Sequence, residues 1–282
     1  MARLHPFLRI LRLPNAAMTA FGVFLGFWIG YTRQSPLSLL LLVIAGIAST
    51  GFGNVLNDIL DRESDRINHP DRPLPCGEIS PPAARAYACG LALLGLSCGF
   101  AADPIHGVGV IAALVLLALY AFRLKATALW GNLLVSILVA YPVVFGALGG
   151  ERFGHLLLPA LLACLINFCR EAIKDIQDAR GDAAAGITTT AALGTPLLRH
   201  ILTGVSVVYA AGVFVPYALG HFGIVYLVVC LAVVLPLHVW WFRFWLGREY
   251  RRRLPAVSRA IKLEMAAGMA ALALDQLRRG IG

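Results

Sequence analysis

Two short stretches of this chain carry acids at a spacing that could do chemistry. The first reads Asn54-Val-Leu-Asn57-Asp58-Ile-Leu-Asp61-Arg62-Glu63-Ser-Asp65, the second Arg170-Glu171-Ala-Ile-Lys174-Asp175-Ile-Gln177-Asp178-Ala-Arg180-Gly-Asp182. In each, three aspartates stand at i, i+3 and i+7, which on an α-helix fall within roughly 60° of one another. Like charges so placed repel. Near a bilayer they are also costly, at about 2.5–3.5 kcal/mol for an Asp at the centre of a membrane helix. A hard divalent cation offsets that cost. Magnesium takes oxygen ligands, keeps several waters, and uses one or two carboxylates together with substrate phosphates. Two such faces across a cavity would clamp a metal-bound diphosphate, so Mg2+ is the cofactor expected. Either stretch alone could be a solvated loop of surface ion pairs; two copies of one spacing argue against that.

Asp58 and Asp175, Asp61 and Asp178, and Asp65 and Asp182 are each 117 positions apart. That constant offset predicts an internal repeat of about four helices, with the acidic motif closing the second helix of each half. Arg62, Arg66, Arg72, Lys125, Lys174 and Arg180 accompany the acids. Guanidinium and ammonium donors suit a departing diphosphate. Tyr120 and Lys125 fall at the end of the fourth apolar run, on the same side as the acids if the runs alternate across a membrane.

The elements that must position these residues are apolar. The 282 residues are 59% hydrophobic and 14% charged, against about 45–50% and 25% in soluble domains. Apolar runs of about 18–22 residues recur, long enough for a hydrocarbon core of roughly 30 Å. They cover residues 15–32, 36–58, 82–102, 105–122, 128–149, 154–175, 197–219, 222–243 and 260–277. The expectation is an all-α integral membrane protein of nine helices, two four-helix pseudo-repeats plus one, forming a single domain over residues 1–282. The ninth run is the weakest, because Lys262, Glu264 and Asp275 fringe a short alanine-rich centre. The N-terminal run is longer than a signal-peptide core and lacks a clean cleavage site, so it reads as a first span preceded by an interfacial stretch.

A net charge of +9 could suggest nucleic acid, but its placement does not. Counted over alternating loops, one side collects roughly 20 Lys and Arg against 4 on the other, and the rich side is cytoplasmic by the positive-inside rule. The acidic motifs lie on that side, and no nucleic-acid partner is expected. The six cysteines show no CxxC spacing and indicate neither a disulfide framework nor a zinc site. Trp240, Trp241 and Trp245 read as an interfacial belt. Phe122, Tyr141, Phe145 and Phe168 are candidates to face a cation or simply to pack.

These segments resemble the UbiA superfamily of intramembrane prenyltransferases. Asn57-Asp58-x-x-Asp61-x-x-x-Asp65 is similar to its first aspartate-rich motif, and Arg72-Pro-Leu-Pro-x-Gly77 to the run that follows. Lys174-Asp175-x-x-Asp178-x-x-Gly181-Asp182 is similar to the second. Tyr120-x-x-x-Leu124-Lys125 with Gly131-Asn132 resembles the fourth loop and fifth helix, and Leu13-Pro14-Asn15 the start of the first helix. The resemblance implies helices around a central cavity capped by the two motif loops. It implies that Asn57, Asp61, Asp65, Asp178 and Asp182 bind magnesium. It further implies that Asn15, Asp58, Arg72, Tyr120, Lys125 and Lys174 serve the substrate, and that catalytic Asp175 sits near the acceptor. Cys76 departs from the Ser or Ala usual at its position. The runs Arg170-Glu171-x-x-Lys174-Asp175 and Asp65-x-Ile67-Asn68-x-Pro70-x-Arg72-Pro73 are most similar to the superfamily's digeranylgeranylglyceryl phosphate synthases. The implied partners are therefore a prenyl diphosphate, a hydrophobic acceptor and membrane lipid.

Three other readings compete. An aromatic or tetrapyrrole acceptor would use the same machinery. CDP-alcohol phosphotransfer needs a D-G-x-x-A-R opening that this chain lacks. A transporter would place its charges nearer the bilayer midplane than these acids fall.

Overall fold

The structure, a computed structural model, describes residues 5–184, 190–247 and 250–281, with the side chains at 68, 180–184 and 281 outside that description. The described residues form helices joined by short turns, with no strand among them. In chain order the helices are α1 (Pro6–Ile10), α2 (Leu13–Gly30), α3 (Pro36–Leu60), α4 (Arg62–Asn68), α5 (Pro81–Ala102), α6 (Pro104–Leu119) and α7 (Trp130–Ala147). They continue as α8 (Phe153–Ala184), α9 (Thr195–Gly212), α10 (Val215–Ala218), α11 (Ile224–Val229), α12 (Leu235–Leu246) and α13 (Tyr250–Ile281). Five-residue π-helical segments follow α6 at Tyr120–Leu124 and precede α12 at Cys230–Val234.

Prolines start many of these helices. Pro36, Pro81, Pro104 and Pro196 occupy first or second positions, where the missing N–H would have had no intrahelical partner. Ser35, Ser80 and Asp103 cap α3, α5 and α6, accepting from the backbone N–H of Ser38, Ala83 and Ile105 at 3.3, 3.4 and 2.9 Å.

The chain divides into two compact units, Met1–Leu124 with Pro142–Phe153, and Lys125–Tyr141 with Gly154–Gly282. In the first, α3 packs on α2 and α5, and α5 on α6. Ile10, Ala48, Val55, Leu74, Ile79, Ala84 and Leu91 form a buried cluster that ties α1, α3, α5 and the 69–80 loop together. The residues expected to lie interfacially before α2 are thus partly core, with Ile10 buried. Helix α2 meets the end of α7 backbone to backbone. A Cβ on Gly26 would stand 2.1 Å from the Val143 carbonyl oxygen, and one on Gly146 2.1 Å from that of Val23. Small residues make such contact possible between membrane helices.

In the second unit, α13 packs on α11 and α12. Its 32 residues run about 48 Å at 1.5 Å per residue. The acids that weakened the ninth apolar run are buried and paired. Glu264 accepts from Trp241 Nε1 at 2.6 Å and pairs with His238 Nδ1 at 2.9 Å. Asp275 accepts from the backbone N–H groups of Gly223 and Tyr226 and from Arg279 Nε, at 2.8, 3.2 and 2.9 Å. Among the described residues, eight helices are long and apolar enough to cross a membrane, and α13 is not one of them. The expected all-helical membrane architecture holds, while the count of nine remains an expectation. The aromatic belt needs correcting. Trp241 and Trp245 are 0% exposed and only Trp240, at 43%, faces outward. In a membrane helix both faces are apolar, so sequence alone does not say which aromatic faces lipid.

The repeat appears in the helix boundaries. Leu13 and Trp130 begin α2 and α7, Gly30 and Ala147 end them, and Pro36 and Phe153 begin α3 and α8; each pair is 117 positions apart.

Candidate active site

Helix α3 ends at Leu60 and α4 starts at Arg62, with Asp61 between them. Helical hydrogen bonds continue across the junction, from Asp61 N to Asn57 O and from Asp65 N to Asp61 O, both 2.8 Å. The helical phase is therefore kept, and Asp58 and Asp65, seven apart, come to one guanidinium. Arg72 Nη1 lies 2.5 Å from Asp65 Oδ2 and 3.5 Å from Asp58 Oδ1. Arg12 Nη2 donates to Asp58 Oδ1 at 2.5 Å. Asp58 is 2% exposed and Asp65 4%. Burying either carboxylate unpaired would be strongly unfavourable, and two arginines for two aspartates balance the charge.

Arg72 is held by its loop. Leu74 and Ile79 are in the buried cluster, Cys76 N donates to Arg72 O at 3.1 Å, and Ile79 N to Pro73 O at 3.0 Å. Gly77, at φ +81°, makes the turn, a conformation side chains disfavour. Asn57 Oδ1 is buried without a hydrogen-bond partner. Asp61 is half-buried, and its backbone oxygen accepts from Ser64 Oγ at 2.9 Å. Tyr120, half-buried, opens the π-helical segment after α6, and Asn15 is exposed in the first turn of α2.

The second unit repeats the plan with different donors. Asp175 Oδ2 accepts from Asn132 Nδ2 at 2.9 Å and from Thr190 N at 3.0 Å. Thr190 Oγ1 in turn accepts from Asn132 Nδ2 at 2.8 Å and from Leu129 N at 3.0 Å. The resemblance implies a place near the acceptor for Asp175, and its carboxylate holds Thr190 and the start of α7. Lys174 and Asp178 are exposed on α8, and Lys125 is half-buried. Asp182 stands in the last turn of α8, and its side chain, like that of Arg180, lies outside the described residues.

Sequence reasoning gave no role to Arg12, Asn132 or Thr190. The repeat offset could have found two of them. Arg12 and Leu129, 117 apart, are the two non-glycine residues with left-handed φ among those described, at 57° and 63°. Asn15 and Asn132 are 117 apart as well. Both turns lead into a membrane helix beside the first aspartate of a motif. One presents a guanidinium to Asp58. The other leads to the carboxamide that holds Asp175.

A model of the UbiA prenyltransferase family matches residues 19–264, running through both units. The chain belongs to that family. A digeranylgeranylglyceryl phosphate synthase from Methanopyrus kandleri is 40% identical over 238 residues, covering 82% of this chain and 87% of that protein. One from Methanothermobacter thermautotrophicus is 36% identical over 269 residues, 93% of each. A solved structure concerning digeranylgeranylglyceryl phosphate synthase in membranes superposes with a TM-score of 0.85 at 26% identity, covering 97% of this chain and 98% of that one. A UbiA homolog from Archaeoglobus fulgidus, solved bound to GPP and Mg2+, gives a TM-score of 0.62 at 19% identity, over 95% and 99%. At that identity the likeness is of fold.

For a UbiA prenyltransferase the divalent ion must fit the donors present. Among the described residues, no three His, Cys, Asp or Glu side chains gather closely enough to hold a metal by themselves. Magnesium does not need three, since it commonly takes one or two carboxylates and completes its shell with water and substrate phosphate. The unpartnered Asn57 Oδ1, one turn from Asp61, is a hard oxygen of the right kind. The donor set fits.

Proposed function

We propose that this chain transfers a geranylgeranyl group from geranylgeranyl diphosphate to the free hydroxyl of geranylgeranylglyceryl phosphate, within the membrane and dependent on Mg2+. The observation that carries this reading is the similarity to digeranylgeranylglyceryl phosphate synthases at 36–40% identity over 82–93% of the chain. The product in their name bears two geranylgeranyl groups, so the acceptor already carries one.

Each acidic motif serves diphosphate through magnesium. Asn57, Asp61 and Asp65 would hold one metal ion, Asp178 and Asp182 another. Magnesium, when bound, neutralises diphosphate charge and so favours its departure. Arg72, on Asp58 and Asp65, keeps N–H groups to offer the leaving oxygens, since a guanidinium has five donors. Tyr120, Lys125, Lys174 and Asn15 complete the polar end of the substrate site. The C1–O bond of the prenyl diphosphate breaks with its electron pair going to diphosphate. The acceptor hydroxyl oxygen bonds C1, and its proton leaves to diphosphate or water. Asp58 and Asp175 act as positioning residues, the former on Arg72 and the latter on Thr190 and Asn132. The acidic end of each unit faces the cytoplasm.

Purified protein given Mg2+, geranylgeranyl diphosphate and a panel of acceptors tests this by mass spectrometry. Geranylgeranylglyceryl phosphate should be alkylated at least an order of magnitude faster than hydroxybenzoate or chlorophyllide. Preference for either ring acceptor would overturn the acceptor assignment. Uptake of labelled prenyl diphosphate into vesicles without an ether product would favour transport.

A further inference from the structure

One face of the second unit carries none of the residues assigned above to prenyl transfer. Leu231, Leu235, Pro236, Val239, Trp240, Arg243 and Phe244 line an open groove of about 760 Å³ along the π-helical segment and α12. Its origin is local. Pro236 has no N–H to give the preceding turn, and the wide turn at Cys230–Val234 sits directly before it; such π-bulges often mark functional positions. Leu231, Val239 and Trp240 are 48%, 55% and 43% exposed, and they belong to a segment apolar enough to span a membrane. A hydrocarbon chain is therefore the natural cover for the stripe.

The groove is polar at one end only. Arg243 lines it there, and the guanidinium of Arg253 lies 5.0 Å from the centre of the Phe244 ring. Trp240 and Phe244 pack edge to face, with ring centres 4.7 Å apart, and the amphipathic indole of Trp240 suits the depth of a headgroup. No acidic residue lines the groove, and Glu264 on α13 is fully buried against Trp241 and His238. From Leu231 to Arg243 the helix rises about 18 Å, close to one leaflet's half of a hydrocarbon core of roughly 30 Å.

We propose that this groove binds one anionic membrane phospholipid, with a chain along Leu231, Leu235 and Val239 and its phosphate on Arg243 and Arg253. Basic sites beside membrane helices recognise anionic headgroups by charge and release neutral ones. None of the residues lining it belongs to the acidic motifs.

Native mass spectrometry of the full chain, in detergent with added phosphatidylglycerol or phosphatidylcholine, tests the proposal. One phosphatidylglycerol should stay bound per chain at activation energies that strip phosphatidylcholine. The double variant Arg243→Gln/Arg253→Gln should lower its retention on the order of tenfold. Val239→Trp should block the chain's path with a similar loss. Both variants should keep wild-type thermal stability and prenyl-transfer rate in fixed detergent. Four results would overturn the proposal: equal retention of the two lipids, unchanged retention in both variants, full competition by inorganic phosphate, or Val239→Trp turning a dimer into a monomer.

Discussion

The proposed chemistry rests on Asp61, Asp65, Asp178 and Asp182, and substitution by Asn keeps their shape while removing charge. Each should lower the rate by at least 10²-fold, about 2.7 kcal/mol of transition-state stabilisation, with thermal stability little changed except at Asp65. Loss of charge there leaves Arg72 without its close carboxylate and should also lower stability. Asp103→Asn is the control. Asp103 caps α6 through Ile105 N, and Asn caps as well as Asp, so both rate and stability should stay near wild type. Turnover and melting temperature measured together decide it. Losses at Asp103 equal to those at the motifs, or rates that merely track stability, would make the motifs structural. Arg12→Met removes one of the two cations on Asp58. It should weaken prenyl-diphosphate binding by loosening Arg72, and the paired change with Asp58→Asn should cost less than the two single losses combined. The two motifs and their offset were legible because carboxylates at i, i+3 and i+7 form a local pattern. Arg12 was not, because its role depends on a left-handed turn 46 positions from its partner.

Packing and loop contacts carry their own tests at the scale of the element. Gly26→Ala drives a methyl into the Val143 carbonyl at 2.1 Å and should destabilise by about 1–3 kcal/mol or more. Gly90→Ala on α5 meets nothing within 4 Å and should stabilise by roughly 0.5–1 kcal/mol through helix propensity. Thermal melts in one detergent compare them. At the turn before α8, Thr32 N donates to Glu151 at 3.0 Å. That backbone hydrogen bond holds the Glu151 carboxyl below its usual range. A lowered folded-state pKa means the contribution is present above the unfolded pKa and lost as pH falls through the folded one. Melting profiles of wild type and Glu151→Gln should therefore differ at neutral pH and converge in acid. The ninth apolar run read weakly for a physical reason. Glu264 and Asp275 look like charges in lipid until their partners, 23 to 52 positions away, are brought beside them.

For the whole molecule, composition and run length gave the membrane class, and the offset gave the repeat that α2–α3 and α7–α8 display. Orientation rests on the distribution of Lys and Arg. With the six native cysteines replaced, a single cysteine at Glu63 should label with an impermeant reagent only from the cytoplasmic side, and one at Arg152 only from outside. The reverse pattern would place the acidic end on the other face of the membrane.

One measurement tests ether formation driven by a metal-bound diphosphate most directly. Purified chain is mixed with geranylgeranyl diphosphate and geranylgeranylglyceryl phosphate, and ether lipid and released diphosphate are quantified with Mg2+ and with excess chelator. Digeranylgeranylglyceryl phosphate and diphosphate should appear one for one with Mg2+, stop on chelation, and resume when Mg2+ is restored. Full product formation in chelator, or diphosphate release without the ether, would contradict the account.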